Sequence, residues 1–325
     1  MSKRVRIAVV GVGYFGRFHA RHIAGHREAE LVAVVDIDRD AAQSVAGEHR
    51  CLALEDYRQL VGRVDAAVVA VPTPEHFSVA RDLIEAGLHV LVEKPLTLDV
   101  GSADQLAALA ATRGVLLQVG HIERYSAAFR TLAPLIVEPR YIESYRIAPW
   151  RERGTEADVI FDLMIHDIDI IMGLVRSPVA DVAAVGTPLY SSKIDLANAR
   201  ISFSSGCVAT VTASRVSHKT ERTLRIFQPS GYVVCDFAAG KIVQYTLGTI
   251  ESGEASIAAR TIDVPEEDSL ANEIADFISC IAKGRKPLVD GRVGADAVRV
   301  ASRMHECIDA NLRVIATGQG RGAPA

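Results

Sequence analysis

Two constellations in this sequence combine residue types that could do chemistry. The first is Gly11-Val12-Gly13-Tyr14-Phe15-Gly16, followed at a distance by Asp36. Glycines at these spacings let a backbone turn tightly and approach a pyrophosphate, which then rests on the unpaired N–H groups of a helix N-terminus. A carboxylate placed after the next strand accepts hydrogen bonds from ribose hydroxyls and repels a 2′-phosphate, so the pair points to NAD in preference to NADP. Arg39 is the counter-signal, because a nearby guanidinium can pair with a 2′-phosphate; its other reading is a solvated residue at a helix start.

The second constellation is Asp162 and His166, whose i,i+4 spacing stacks them on one helix face. A neutral imidazole, with an ordinary pKa of about 6.5, is suited to take a hydroxyl proton while a hydride leaves the same carbon. A carboxylate one turn away can orient that ring and stabilise its charged form. Lys94, within Glu93-Lys94-Pro95, would hydrogen-bond the reacting oxygen or tune the base. Two other readings stay open: a solvated, helix-stabilising pair, and a metal set completed by Asp169. A nicotinamide already accepts the electrons, so no metal is expected. His19, His22 and His26 also repeat at helical spacing, but with no acidic or thiolate partner nearby in sequence they read as a surface or interdomain face.

These residues need elements to hold them. Apolar runs at residues 6–10, 31–36, 65–71, 89–93 and 115–119 alternate with helix-like stretches, the pattern of a parallel sheet covered on both faces. The Gly-rich turn follows the first run and opens an amphipathic helix over 14–25. Val71 to His76, with Thr73 and Pro74, and Glu93-Lys94 lie at the ends of the third and fourth runs, where doubly wound sheets bind ligands. After residue 135 the texture changes. A strand at 141–147 and a helix at 159–174 are followed by alternating runs between 182 and 247, with Ser205-Gly206 and Ser230-Gly231 as turns, then helices at 270–282 and 294–308 and a Gly-rich tail expected to be flexible. The fold class expected is α/β: a Rossmann doubly wound parallel sheet over 1–121, then an α+β domain with a large, open, mainly antiparallel sheet over 122–325.

With 325 residues, 49% hydrophobic, the chain can bury two cores. A net charge of -4 leaves no broad basic surface, which argues against nucleic acid as a partner. The five cysteines have no metal-like spacing and read as free thiols of a reducing compartment. The N-terminus runs straight into a strand without room for a signal peptide, and no apolar run spans a membrane, so a cytoplasmic protein is expected. The stretch from Arg146 to Arg153, with Trp150, offers guanidinium groups for phosphate oxygens and one aromatic face; a solvated basic loop is the equal alternative.

Taken together, Gly11 to Gly16, Thr73-Pro74 to His76, Glu93-Lys94-Pro95, Gly120 to Tyr125 with Arg124, and Asp162 to Asp169 resemble the motifs of the glucose–fructose oxidoreductase, inositol dehydrogenase and MocA-like family. The resemblance covers nearly the whole chain. It implies NAD held by Gly11, Gly13, Tyr14, Phe15, Gly16, Asp36, Thr73, Pro74, His76, Glu93, Lys94 and Gln118. It further implies Lys94, Asp162 and His166 as catalytic groups, a homodimer or homotetramer built through the C-terminal sheet, and no metal. The runs from Gln118 to Tyr125 and from Asp162 to Asp169 resemble the branch that oxidises the 3-hydroxyl of UDP-N-acetylglucosamine for a later aminotransferase, some members serving lipid A precursors and others O-antigen sugars. That branch implies substrate contacts from His121, Arg124, Tyr125, Arg146 and Arg153 beside Lys94, Asp162 and His166. Two departures stand out. Arg124-Tyr125-Ser126-Ala127 replaces the branch's usual Arg-Phe-Asn-Pro, and residues 155–160 replace the Gly-rich run of inositol dehydrogenases, which argues against the polyol branch. A free-sugar or inositol dehydrogenase and a non-catalytic NAD-sensing protein are the alternatives; the joint presence of Lys94, Asp162 and His166 speaks against the latter.

Asp36→Ala is expected to relax the choice between NAD and NADP by about tenfold, the worth of roughly one charge-assisted hydrogen bond. The ratio of the two Kd values measures this, and an unchanged ratio would remove Asp36 from cofactor selection.

Overall fold

The computed structural model describes residues 4–150, 157–248 and 256–317. Six apolar runs pair in parallel: β1 (Val5–Val10), β2 (Ala29–Val35), β3 (Leu52–Leu54), β4 (Ala66–Val69), β5 (His89–Glu93) and β6 (Leu117–Gly120), in the order β3-β2-β1-β4-β5-β6. The helices α1 (Tyr14–Gly25), α2 (Arg39–His49), α3 (His76–Glu85) and α4 (Val100–Arg113) alternate with them. Every residue of β4 is fully buried, as expected of a strand covered on both faces. Since the strands are parallel, the Gly11 turn, Asp36, Thr73–Glu75, Lys94 and His121 all leave the sheet at one edge. The strand order reverses between β1 and β4, the place where such sheets form a crevice. The short, half-exposed β3 has no apolar run in the sequence, which is why Glu93 closes the fifth strand and not the fourth.

The later strands are β7 (Tyr141–Pro149), β8 (Val179–Thr187), β9 (Leu196–Phe203), β10 (Val208–Ser217), β11 (Glu221–Gln228), β12 (Gly231–Asp236), β13 (Lys241–Leu247) and β14 (Ile257–Asp263). They form one sheet in the order β14-β13-β12-β11-β7-β10-β9-β8. Each neighbouring pair is antiparallel except β7 with β10. The exception follows from topology: β7 lies between the consecutive, opposed strands β10 and β11, so it must run parallel to one of them. Cross-strand neighbours Tyr141, Phe227, Tyr232 and Tyr245 stack in a row, with successive ring centroids 5.9, 5.3 and 4.3 Å apart.

Helices α5 (Ala127–Leu132), α6 (Ile165–Val175), α7 (Ser269–Lys283) and α8 (Gly291–Thr317) complete the chain. It divides into two compact units, Met1–Ser126 with Asp268–Val298, and Ala127–Glu267 with Arg299–Ala325. A single cut at residue 121 therefore misses a return crossing. The reason is apolar: Leu270, Ile274, Phe277 and Ile278 of α7 enter the same core as Ile7, Val9, Ile23, Val68 and Leu91. All five cysteines are free, and no helix among the described residues is long and apolar enough to cross a membrane.

In the second unit, α6 is tied to the sheet by charge. Arg146 faces inward on β7 with Ile142 and Ser144, and its Nε and a terminal nitrogen lie 2.8 and 3.1 Å from the two oxygens of Asp167. Both side chains are buried, so removing one strands the other without solvent. Asp167→Ala is expected to cost about 3–5 kcal/mol of stability. Chemical denaturation measures it; a loss below 1 kcal/mol would mean that the pair is dispensable.

Candidate active site

At the edge of the parallel sheet the backbone leaves β1 through Gly11, in the left-handed region at φ 86°. A Cβ there would sit 2.7 Å from the Ala70 carbonyl, and one at Gly16 would sit 1.8 Å from the Gly11 oxygen. These glycines bring α1 down onto the turn. Gly13 differs: a Cβ there would meet nothing within 4 Å, so its missing side chain leaves open space. Helix α1 has no side-chain cap and no acidic residue in its first turn, which leaves its N–H groups and positive dipole end to an outside anion. Tyr14 and Phe15 stand exposed on that turn, their rings edge to face at 5.3 Å.

Asp36 follows β2 directly. Its Oδ2 accepts the Val12 N–H at 2.7 Å and its Oδ1 the Asp38 N–H at 3.0 Å. A carboxylate has about four acceptor positions, so two remain for ribose hydroxyls. The open Gly13, the uncapped helix and this oriented carboxylate fit a dinucleotide. Arg39 opens α2 as an exposed residue 3.5 Å from Glu55, the solvated alternative of its two readings.

Lys94 follows β5 at the same edge, half-buried, with its N–H donating to Glu93 Oε2 at 3.2 Å; the Lys94–Pro95 peptide is cis. Thr73 and Pro74 form a short helical turn ahead of α3. Several neighbours expected to face cofactor or substrate point inward instead. His76 is buried, with Nδ1 2.8 Å from the Pro95 carbonyl oxygen and Nε2 3.0 Å from that of Val71, so it fastens two loops. Burial pushes its pKa down. Glu93 turns its carboxylate to His19, and the fully buried Gln118 donates to the Glu273 carbonyl at 3.3 Å. His121, Arg124 and Tyr125 are buried, and the short turn over Ile122–Tyr125 packs on α7. There the Tyr125 hydroxyl reaches Asp276 at 3.4 Å, and burial pushes its pKa up.

The reading of His19, His22 and His26 as a surface face fails for His19. It is fully buried, with Nε2 2.7 Å from Glu93 Oε1. Its partners lie on β5 and α7, too far along the chain for local spacing to reveal them. His22 sits 3.3 Å from Asp268.

In the second unit, the helix expected over 159–174 begins with a π-helical turn, Ile160–Met164, and continues as α6. Asp158 accepts the N–H groups of Ile160 and Phe161 at 2.9 and 3.0 Å, as a capping residue does. Between Phe161 and Ile171 only Asp162, Leu163 and His166 are partly exposed. The two candidate groups thus share the one accessible stripe of a buried helix, while Asp169 lies in its interior. Wide π-turns of this kind recur at functional sites.

Arg146 is a correction: it belongs to β7 and its guanidinium pairs with Asp167, so it is not a loop residue. Alternation along β7 carried that signal, since Arg146 shares the inward parity of Ile142 and Ser144. Trp150 stands beside Tyr190 at 5.5 Å, with Arg215 over its ring at 5.6 Å. Arg153 lies outside the described residues.

The first unit's sheet matches the family described as oxidoreductase family, NAD-binding Rossmann fold, over residues 5–121, and the GFO/IDH/MocA C-terminal domain matches over 119–234. A curated relative, the UDP-N-acetylglucosamine 3-dehydrogenase of Acidithiobacillus ferrooxidans, is 37% identical over 311 residues, 95% of this chain and 99% of that protein. A solved structure of that enzyme superposes with a TM-score of 0.89 over 94% of this chain and 98% of its own at 37% identity. The scyllo-inositol 2-dehydrogenase (NAD(+)) of Bacillus subtilis is 27% identical over 89% of this chain and 90% of its own.

Proposed function

The chain belongs to the Gfo/Idh/MocA family of NAD-binding oxidoreductases, and from that premise we propose that it oxidises the 3-hydroxyl of UDP-N-acetylglucosamine, or a close UDP-sugar, to the 3-keto sugar. The observation that carries the substrate is the full-length likeness to a UDP-N-acetylglucosamine 3-dehydrogenase, at 37% identity. NAD, held by the Gly11–Gly16 turn and Asp36, supplies the hydride acceptor when bound.

The chain's own residues handle the proton and the developing charge. His166 takes the hydroxyl proton, and Asp162, on the same accessible stripe, orients the ring and steadies the imidazolium. Lys94 stabilises the negative charge that grows on the oxygen as its proton departs. Asp36, whose negative charge repels a 2′-phosphate, favours NAD over NADP. The product carbonyl is of the class that an aminotransferase converts to an amine. A stacked row of Tyr141, Phe227, Tyr232 and Tyr245 on the large sheet supports pairing of two copies through that face, and free thiols fit a cytoplasmic setting. Sedimentation of the intact chain as a monomer at micromolar concentration would remove the pairing.

The test is incubation with UDP-N-acetylglucosamine and NAD, with a transaminase to draw the equilibrium forward. NADH and a keto sugar are expected. Turnover of inositol in their place, or of no UDP-sugar in a panel, overturns the substrate. In the same assay His166→Ala should lower kcat by about 10²–10⁴-fold with NAD affinity retained; full turnover would exclude His166 as the base.

A further inference from the structure

Behind Lys94, inside the first unit, lies a cluster that none of the roles above uses. His19 on α1, Glu93 at the end of β5 and Glu273 on α7 bring their donor atoms within 4.8 Å of one another. His19 and Glu273 are fully buried, and the Glu93 side chain is 14% exposed. The three are unequally served. Glu93 has His19 Nε2 at 2.7 Å on one oxygen and the Lys94 N–H at 3.2 Å on the other. Among the described residues, neither oxygen of Glu273 has a hydrogen-bond partner.

Two carboxylates this close in a dry interior do not both ionise, and the one without partners keeps the proton. Burial, with Glu93 and Asp276 nearby, pushes the Glu273 carboxyl well above its ordinary range. Burial is the largest single influence on Glu93 and works against its charge, but the hydrogen bond to His19 and the charges of His19, Lys94 and His76 together outweigh it and hold that carboxyl below its ordinary value. One negative charge therefore rests on Glu93, directly at the root of Lys94. The backing is tight: a Cβ at Gly120 would sit 3.0 Å from Glu93 Oε2. On the far side, His76 grips the Pro95 carbonyl oxygen at 2.8 Å, so the backbone is held both at the Lys94 N–H, by Glu93, and one peptide beyond Lys94, by a buried histidine.

We propose that Glu93, clamped by His19 and backed by Glu273 as a neutral acid, is the positioning residue for Lys94: it fixes the Lys94 backbone and holds one compensating charge behind its ammonium group. This rests on the reading that Lys94 acts at the reacting oxygen. The cluster touches no substrate; it acts through Lys94 alone.

Glu93→Gln keeps the shape, removes the charge and leaves one acceptor and one donor where two acceptors faced His19 and the Lys94 N–H. With UDP-N-acetylglucosamine and NAD, kcat is expected to fall at least about tenfold while the Kd for NAD and KM for the sugar stay within about threefold, a split that mere loosening of the fold would not give. Lys94→Ala is measured alongside. If Lys94→Ala abolishes turnover and Glu93→Gln keeps kcat within twofold, this proposal fails and the reading of Lys94 stands. If Lys94→Ala turns over normally, the reading of Lys94 fails first. Should the wild-type chain not turn over that sugar, amide exchange across residues 93–97 decides: Glu93→Gln must speed it, and unchanged protection overturns the clamp. Glu273→Gln, a neutral side chain of the same shape, should unfold within about 3 °C of wild type or higher, and a drop beyond about 5 °C contradicts a neutral acid. One equivalent of a divalent metal in the purified protein, lost with activity on chelation, would replace the proton reading by a metal site of the same three residues.

Discussion

Helix α1 begins where it does because Gly16 lies against the carbonyl oxygen of Gly11, with no space for a side chain between them. That contact sets the helix against the end of β1 and turns its uncapped N–H groups outward. It also sets the phase of everything further along the helix. His19, on the next stretch, is thereby brought to the sheet and buried at Glu93. One backbone contact thus positions both the end of the helix that suits an anion and the side chain that anchors the residue before Lys94.

The two units use the same device with different partners. In the first, the half-exposed Lys94 is preceded by Glu93, which turns into the interior to meet His19. In the second, the half-exposed His166 is followed by Asp167, which turns inward to meet Arg146. Adjacent residues on a strand end or a helix point in different directions, so one can face outward while its neighbour is tied down. Desolvating these charged groups costs about as much as their attraction returns, so such pairs do little for net stability. What they supply is direction: the outward residue inherits a fixed backbone.

How much of this could be seen in the sequence depends on the range of the interactions. The buried strands were visible as apolar runs, and the cofactor turn as local backbone chemistry, because each is set by residues close together in the chain. The half-exposed β3 had no such run to show. The surroundings of Gln118 and Tyr125 were hidden because both meet α7, which arrives about 150 residues later through its own apolar stripe. Glu93 and His76 belong to recognisable motifs at strand ends, and position together with the family resemblance made them look like cofactor contacts. Whether such a side chain turns outward or inward is decided by packing, here by His19 and the Pro95 carbonyl.

The same limit explains why the cofactor turn of the first unit was easier to read than the surroundings of the candidate groups in the second. A dinucleotide is met largely by backbone N–H groups and by the gaps that glycines leave, features written in consecutive residues. In the second unit, the environments of polar side chains are assembled from distant segments. Arg215 illustrates it: its Nε donates to Asp195 at 2.8 Å, one terminal nitrogen to the Ala157 carbonyl at 2.8 Å and the other to Ser191 at 3.2 Å, while its plane lies over Trp150. Asp195 in turn accepts the N–H groups of Leu189, Tyr190 and Ser191 at 2.8, 2.7 and 2.9 Å. Burial would push the Asp195 carboxyl up, but these donors and Arg215 hold it well below the ordinary range. A rigid, planar guanidinium can join three segments in this way because its donors point in fixed directions. Trp150, the start of the helix that carries Asp162 and His166, and the 189–191 turn are therefore held in one arrangement by a residue that no motif in the sequence marks.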